Sequence, residues 1–273
     1  MKVSCLPVSL FKEIIDGTIS MAQWIDDART AGLDGIDVSM AFIKNHTPTY
    51  LKGLKREIAQ GGLPVVMATT YPDFTHPDAM QREREMEYLR RDIALCSELD
   101  VMYLRVLAGQ AHPGMGIPEG TTLAVRGLRE SDEIARKYGV KLLYEDHAKP
   151  GAWEYIDFSY PPEIFLSVYE GIRDTQIGIN FDIGNIVAYG EDVLSVLQKV
   201  IEDVETIHVS DMRRAGEFSP VLIGTGVVPI KEIFSYLKSV GFDKWLCIEE
   251  ASFTGMDGIK KAVDCVRETW DKA

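Results

Sequence analysis

Four residues that can bind a divalent cation stand at the ends of four short apolar runs in the second half of the chain. The runs are LLYE ending at Glu145, GINFD ending at Asp182, ETIH ending at His208 and WLCIE ending at Glu249. Three carboxylates and one imidazole suit Mg²⁺, Mn²⁺, Co²⁺ or Zn²⁺. Helical sequence follows each run, so the pattern predicts one metal site built from distant residues, and therefore a metalloenzyme.

The elements that would position these ligands recur along the whole chain. Short runs rich in Val, Ile, Leu and Tyr are typical of parallel strands buried on both faces. Consecutive parallel strands require a crossover connection, and the spacing leaves room for a helix in each. The sequence therefore predicts a (β/α)8 TIM barrel of the α/β class, as a single domain over residues 1–273. Its eight strands are expected at approximately 2–7, 34–40, 64–70, 101–107, 140–146, 177–183, 204–210 and 244–250.

Helices and loops carry their own signals. The helix before the last strand is predicted to begin at Pro229 and to stop at Gly241, which can adopt a left-handed conformation. Two longer loops, 108–118 and 146–162, follow strands on the face where such barrels place their chemistry. An earlier amphipathic helix is indicated by apolar residues at helical spacing, namely Met86, Leu89, Ile93 and Cys96.

Composition bounds the partners and the compartment. The formal net charge is −13, and so acidic a surface repels phosphate backbones and argues against a nucleic-acid partner. No apolar run approaches the roughly 18 residues that span a bilayer, so no membrane segment is expected. We expect a cytoplasmic protein whose cysteines are small buried hydrophobes, because no CxxC pair is formed by Cys5, Cys96, Cys247 and Cys265.

Barrel geometry supports one shared site but leaves two positions open. The carboxyl ends of strands five to eight meet around the mouth of the barrel, so the four run ends should converge there. However, Glu145 is followed by Asp146, and Glu249 by Glu250. Neighbouring strand residues point to opposite faces, so only one of each pair can enter the mouth. Spacing alone does not choose between them.

Longer motifs in the second half of the chain add a family resemblance. Residues 223–250 combine a Gly-x-Gly entry, a helix ending in LK-x-x-G-F and a strand that closes on a glutamate. Together with YEDH (144–147), NFDIGN (180–185) and IHVSD (207–211), this stretch resembles the xylose-isomerase-like TIM barrel superfamily, in particular its sugar isomerase/epimerase branch. The resemblance implies one divalent metal ion, Mn²⁺ first, with Mg²⁺, Co²⁺ or Zn²⁺ as alternatives. The ligands it implies are Glu145, Asp182, His208 and Glu249.

The same resemblance implies an activity. A small-molecule sugar or polyol would lose a proton next to its carbonyl and pass through an enediolate, with Glu145 and Glu249 as the acid/base pair. Substrate hydroxyls are expected to be bound by His147, Asn185 and Arg214. Dimers and tetramers are common in this branch, so a homo-oligomer is also expected.

Departures from the family pattern keep other functions open. Ketose 3-epimerases carry a histidine where Asn185 stands and a glutamate where Gly151 stands, so the substrate and the reaction can differ from theirs. The alternative is a metal-dependent dehydratase, a lyase acting on a keto-inositol or a related keto-acid with the same ligands. A third hypothesis is a binding barrel without turnover. The DNA-repair nuclease branch requires more histidines than the five of this chain, although His76 and His112 lie in suitable loops.

Two loop motifs have alternative interpretations. Gly224-Thr225-Gly226 could cradle a phosphate at the start of the following helix, although a tight structural loop is the better interpretation. The loop 146–162 contains four aromatic residues that could cover a sugar ring, anchor the loop or bury a subunit contact. They are Trp153, Tyr155, Phe158 and Tyr160.

Overall fold

Each of the eight predicted strands is present, and each lies within its predicted range. The computed structural model describes residues 1–273. The strands pair in the order β1-β8-β7-β6-β5-β4-β3-β2, and every pair is parallel. This is the predicted single (β/α)8 barrel. The strands are β1 (Lys2–Leu6), β2 (Ile36–Ser39), β3 (Val65–Thr69), β4 (Tyr103–Val106), β5 (Lys141–Glu145), β6 (Gly178–Asp182), β7 (Val204–Val209) and β8 (Trp245–Glu249).

Helices surround this barrel. None of them is both long enough and apolar enough to cross a membrane. Short 3₁₀ helices cover Val8–Leu10, Met40–Phe42 and Ile201–Asp203. The α-helices are α1 (Phe11–Asp16), α2 (Met21–Thr30), α3 (Pro48–Gly61), α4 (Ala79–Glu98), α5 (Ile117–Tyr138), α6 (Pro162–Ile172), α7 (Ile183–Tyr189), α8 (Val193–Val200), α9 (Ile230–Ser239) and α10 (Gly255–Lys272).

The helical periodicity predicted from the sequence corresponds to buried faces. In α4 the expected apolar residues are all buried, namely Met86, Leu89, Ile93 and Cys96. The helix α9 begins one residue after Pro229, and Gly241 lies beyond its end with a positive φ of 71°. A glycine there avoids the steric cost that a side chain would impose on a left-handed backbone.

The seam between β1 and β2 is closed by aspartate side chains, since these two strands share no ladder. Asp34 accepts a hydrogen bond from the backbone N–H of Val3 at 2.9 Å and donates its own N–H to the carbonyl of Val3 at 2.8 Å. Higher in the barrel, Asp37 accepts a hydrogen bond from Ser4 Oγ at 2.8 Å. The barrel is therefore closed between β1 and β2 with the help of polar side chains, which the apolar sequence patterns of these two strands do not predict.

The interior of the barrel changes character along its axis. The middle is filled with apolar side chains, including Met67, Leu143 and Trp245. At the amino-terminal end, the carboxylate of Glu205 lies 2.7 Å from Lys141 Nζ and 3.3 Å from Lys244 Nζ. The carboxyl ends of β5 to β8 carry the predicted ligands instead. Chemistry is thus confined to one end of a packed cylinder, and the opposite end is held by an ion-pair network.

We expect the glutamine substitution Glu205→Gln to lower the free energy of unfolding by about 1 kcal/mol, because it keeps the shape but removes the attraction to both lysines. The melting temperature should fall by about 2–4 °C at pH 7, as measured by circular dichroism. Burial alone would raise the pKa of Glu205, but the two ammonium groups lower it overall. The contribution is therefore complete above about pH 4.3, the ordinary glutamate value, and is lost as the pH falls through the lowered pKa.

A matched control is Glu217→Gln, which removes an exposed ion pair with Arg214 at 3.7 Å. Exposed pairs of this kind contribute little, so its melting temperature should equal that of the unmodified chain. Equal melting temperatures for both variants at pH 7 would show that the Glu205 network does not stabilise the barrel.

Candidate metal centre

The four predicted ligands come together at the carboxyl end of the barrel. One ligand atom from each of Glu145, Asp182, His208 and Glu249 lies within 4.8 Å of all the others. His208 Nδ1 is at the centre, 2.5 Å from Glu145 Oε1, 3.1 Å from Glu249 Oε2 and 3.8 Å from Asp182 Oδ2. We call these four residues the ligand cluster. Distances of this size allow all four to bind one ion.

Strand register explains this convergence. Asp182 pairs with His208 across β6 and β7, and Glu145 pairs with Asn180 across β5 and β6. Each ligand is the last or nearly the last residue of its strand, and side chains at that level point towards the barrel axis. Residues separated by about a hundred positions in sequence therefore become neighbours.

The doublets resolve in the way that the family resemblance implied. Asp146 lies on the outer side of β5, where its Oδ1 accepts a hydrogen bond from the backbone N–H of Asp182 at 2.8 Å. Glu250 accepts a hydrogen bond from the N–H of Ser252 at 2.8 Å. Both second residues thus stabilise local backbone and leave the cluster to Glu145 and Glu249, as the alternation of a strand requires.

Asp182 both caps a helix and belongs to the ligand cluster. Its Oδ1 accepts hydrogen bonds from Ser210 Oγ at 2.7 Å and from the backbone N–H groups of Gly184 and Asn185 at 2.7 and 2.9 Å. It is therefore the N-cap of α7. Its other oxygen remains directed at His208. A side chain at Gly184 would lie 2.1 Å from Ser210 Oγ, so glycine permits this close approach.

Glu145 is held by residues that the sequence analysis missed. Asn180 Nδ2 donates a hydrogen bond to Glu145 Oε1 at 2.6 Å, and Thr206 Oγ1 donates one to Asn180 Oδ1 at 2.6 Å. Arg105 in β4 is buried, and its Nε lies 3.1 Å from Glu145 Oε2 in an ion pair. An arginine within YLRV, a strand with two covered faces, is a signal that could have drawn attention to it.

The electrostatics of the cluster favour a cation. Burial raises the pKa of Asp182 to about 8, and the nearby carboxylate of Glu249 adds to the increase. Burial alone would lower the pKa of His208, but Glu145 and Glu249 raise it well above its ordinary value. Burial alone would raise the pKa of Glu249, and His208 instead lowers it to about 2. A proton on His208 thus neutralises crowded carboxylates, a role that a metal ion can fill.

The donor set also fits such an ion chemically. Three carboxylates and one imidazole are ligands of hard or borderline divalent ions. Both ring nitrogens of His208 are buried without a hydrogen bond within the protein, and Glu145 Oε2 has only its ion pair with Arg105. Buried polar atoms of this kind need a partner. A metal ion bound by these oxygen and nitrogen atoms, which neighbouring strands hold in place, would be such a partner.

Sequence and structural comparisons agree with this geometry. Residues 25–269 match the family described as xylose isomerase-like TIM barrel. The chain belongs to this family. An inosose dehydratase of Geobacillus thermodenitrificans is 23% identical over 265 residues, which cover 86% of this chain and 83% of the dehydratase. An L-ribulose-5-phosphate 3-epimerase of Escherichia coli is 24% identical over 284 residues, which cover 98% of this chain and 96% of the epimerase.

A solved structure shows the same fold with a bound metal. The IolI protein, crystallised with a zinc atom, superposes with a TM-score of 0.81 over 100% of this chain and 99% of its own. Its sequence identity is 18%, so the similarity establishes the fold alone. The relatives of this chain include both epimerases and dehydratases, which supports its being an enzyme.

The three predicted substrate-binding residues differ in position. His147 is buried two residues after Glu145, and its Nδ1 has no hydrogen-bond partner within the protein. Burial lowers the pKa of His147 to about 4 against the opposing influence of Glu145 and Glu249, so its imidazole is neutral at pH 7. Asn185 is buried as well, but its Nδ2 donates a hydrogen bond to the carbonyl of Asp146 at 3.1 Å.

Arg214 lies apart from the ligand cluster. Its side chain is 73% exposed and forms an ion pair with Glu217 at 3.7 Å. The segment that carries it is tied at its base by a bridge between Met212 and Pro220, with Gly216 at a positive φ of 75° between them. The structure therefore does not bring Arg214 together with the other predicted site residues, and its binding role stays a prediction.

The Gly224-Thr225-Gly226 segment is organised around a carboxylate of the chain itself. The Asp211 oxygens accept hydrogen bonds from the N–H groups of Gly224 and Gly226 at 3.0 and 2.8 Å. Two further N–H groups, of Met212 and Val228, bond to the same side chain at 2.9 and 3.1 Å. These glycine N–H groups already have an anionic partner, which agrees with the tight-loop interpretation.

The two long loops after β4 and β5 are joined to each other. Gln110 forms a bridge with Asp157, and Asp73 from the preceding loop accepts hydrogen bonds from Gln110 Nε2 at 2.9 Å and His112 Nε2 at 2.7 Å. His76 packs edge-to-face against His112 at a centroid distance of 4.7 Å. These histidines therefore connect loops, and neither belongs to the ligand cluster.

The aromatic residues of the loop 146–162 act largely as anchors. Trp153 and Phe158 are buried. Tyr155 packs edge-to-face against His112 at a centroid distance of 5.3 Å, and Tyr160 packs edge-to-face against Tyr189 at 5.2 Å. Of the alternatives derived from the sequence, anchoring of the loop agrees best with these contacts.

Metal binding should release protons, because the raised pKa values of His208 and Asp182 favour protonated side chains that an ion must deprotonate. We expect Mn²⁺ to release about one to two protons at pH 7, with the apparent affinity rising about ten- to hundredfold per pH unit near neutrality. Titration calorimetry in two buffers with different ionisation enthalpies measures the released protons directly. A binding heat that is independent of the buffer would contradict this electrostatic description.

Proposed function

We propose that this chain is a divalent-metal-dependent sugar isomerase or epimerase that removes a proton next to a carbonyl. The observation that carries the proposal is the ligand cluster, in which one atom from each of four residues lies within 4.8 Å of the others at the mouth of the barrel. A carboxylate-rich, largely buried centre is suited to polarise a carbonyl oxygen. The family contains relatives named for epimerisation and dehydration of sugars or polyols.

Four residues would bind the metal ion, and two of them would also transfer the substrate proton. Glu145, Asp182, His208 and Glu249 would hold the ion, Mn²⁺ first, with Mg²⁺, Co²⁺ or Zn²⁺ also suited to these donors. A bound divalent ion supplies Lewis-acid stabilisation of negative charge that develops on the substrate. Glu145 and Glu249 are the carboxylates available to move the substrate proton. His147 offers a neutral imidazole with a free nitrogen to a substrate hydroxyl.

Asn185 and Arg214 complete the proposed substrate site in different ways. Asn185 holds the backbone after Glu145 through the carbonyl of Asp146, and so fixes the position from which His147 projects. Arg214 stands on an exposed segment. Its proposed contact with substrate requires this segment to fold over the mouth, and loops with such motions are common in enzymes of this size.

Dehydration is the second candidate reaction, and the similarity to an inosose dehydratase over 86% of this chain favours it. Loss of a β-hydroxyl begins with removal of the same α-proton, so the same carboxylates would serve. The products distinguish the two reactions. A dehydratase forms a conjugated carbonyl that absorbs in the ultraviolet, whereas an isomerase or epimerase forms another sugar without this absorption.

Exchange of carbon-bound hydrogen should depend on the metal. With Mn²⁺ present, we expect the protein to exchange the α-hydrogen of at least one ketose, inosose or hydroxy-keto acid with D₂O, as followed by proton NMR. Chelation should abolish the exchange because the negative charge on the substrate loses its stabilisation. Addition of Mn²⁺ in excess should restore it. Equal exchange by chelated and Mn²⁺-loaded protein would reject the metal-dependent function.

Replacement of Glu249 by Gln should reduce this exchange by about 10²–10⁴-fold, the usual contribution of a positioned general base. The matched control is Glu250→Gln, because Glu250 is the neighbouring carboxylate and bonds to Ser252 outside the cluster. It should exchange at nearly the rate of the unmodified protein. Comparable losses in the two variants would indicate a general disturbance of the loop after β8.

A further inference from the structure

The two glutamates of the ligand cluster differ in their access to substrate. The Glu145 side chain is 0% exposed, whereas the Glu249 side chain is 22% exposed. Asp182 and His208 are as enclosed as Glu145. A substrate that enters from the mouth of the barrel therefore meets one carboxylate of the cluster before any other.

Glu145 also has neighbours on both of its oxygens. Its Oε1 accepts a hydrogen bond from Asn180 at 2.6 Å and lies 2.5 Å from His208 Nδ1. The hydroxyl of Thr206 donates to Asn180 Oδ1, so the amide of Asn180 must direct its N–H towards Glu145. The amide of Asn180 and the imidazole of His208 therefore fix the position of Oε1.

Arg105 restrains the second oxygen of Glu145. Its guanidinium is buried, with Nη1 3.3 Å from the carbonyl oxygen of Thr70 and its carbon 4.8 Å from the ring centroid of Tyr71. The nearest carboxylate is Glu145, 3.1 Å from Arg105 Nε. This buried ion pair restricts the movement of Glu145 towards a substrate at the mouth of the barrel.

Glu249 lacks these restraints. Its only ion-pair partner within the protein is His208, at 3.1 Å from Oε2. No amide, hydroxyl or guanidinium group of the chain is bonded to its carboxylate. Its partly exposed side chain allows one oxygen to serve as a ligand while the other accepts a proton from carbon.

We infer that Glu249 alone carries the substrate proton, and that Arg105 and Asn180 are positioning residues that keep Glu145 as a metal ligand only. The inference rests on the proposed function and narrows it. Glu249 takes the α-proton, the electron pair of the broken C–H bond forms a carbon–carbon double bond, and the carbonyl electron pair moves onto its oxygen to give the enediolate. The proton then returns to the former carbonyl carbon while the α-hydroxyl proton passes to the former carbonyl oxygen, which gives an isomer. Alternatively, the enediolate expels the β-hydroxyl, which takes up the proton, and this gives water and a conjugated carbonyl.

A single proton carrier acts on one face of the substrate. Isomerisation and dehydration can both be completed on that face. Inversion at a carbon needs a second group on the opposite face, and an ion-paired Glu145 does not provide one. The chain should therefore catalyse isomerisation or dehydration without inversion at the carbon that exchanges its hydrogen.

Paired substitutions separate the two glutamates. Glu145→Gln and Glu249→Gln each remove one charged ligand and keep an oxygen donor, so both should weaken Mn²⁺ binding, as measured from the electron paramagnetic resonance signal of free Mn²⁺. At saturating Mn²⁺ the first variant should retain at least about a tenth of the α-hydrogen exchange in D₂O, and the second should lose about 10²–10⁴-fold. The probes are D-fructose, D-tagatose, L-ribulose and an inosose.

Aspartate variants provide a second comparison if a glutamine variant fails to fold. Glu145→Asp and Glu249→Asp keep the charge, so both should bind Mn²⁺ with similar affinity. Only the second should suffer a large loss of exchange, because a shorter side chain moves the base away from carbon. Recovered substrate should contain deuterium with its configuration unchanged.

The possible outcomes have distinct meanings. Equal losses in the variants at positions 145 and 249 would overturn the single-carrier inference and leave the proposed function intact. The same conclusion follows if the unmodified protein forms the epimer of a probe at the exchanging carbon. Absence of exchange by the Mn²⁺-loaded protein with every probe would reject the proposed function, and the inference would fail with it.

Discussion

Three carboxylates crowd around one imidazole in a space that is largely closed to water, and much of the upper barrel is arranged to tolerate this. Like charges at such distances repel strongly when solvent cannot screen them. In the chain itself the repulsion is relieved by a proton, which the raised pKa of His208 reflects. The crowded carboxylates therefore favour the binding of positive charge at the mouth of the barrel.

The surrounding residues hold this unfavourable group of charges in place. Asp182 is fixed by capping α7 and by Ser210, and Glu145 is fixed by Asn180 and Arg105. Except for Ser210, which directly follows β7, these supports lie in a strand or helix adjacent to the ligand, so the restraint is built mainly from regular structure. Hydrogen bonds to the outer side of metal ligands orient them and reduce the reorganisation needed on binding.

The sequence predicted the parts that depend on local pattern. Buried strands were found from apolar runs, and the ligands were found because a polar residue ended each of the last four runs. Arg105 and Asn180 were not found, because their importance comes from which strand lies beside which and in what register. The exposed position of Arg214 was likewise beyond the pattern, since the length of the loop after β7 decides where its side chain points. The end of a strand can be predicted from the local sequence, whereas a contact between two strands can be identified only from the folded barrel.

Arg105 also bears on the charge of the ion. Glu145, Asp182 and Glu249 bring three negative charges to the ligand cluster, and the buried guanidinium offsets one of them. Two negative charges remain, which a divalent cation balances when His208 is neutral. A neutral sugar or polyol could then enter without adding uncompensated charge to a buried pocket, whereas a phosphate or carboxylate on the substrate would have to lie further out, near the exposed rim. The residue that restrains Glu145 thus also matches the centre to its ion.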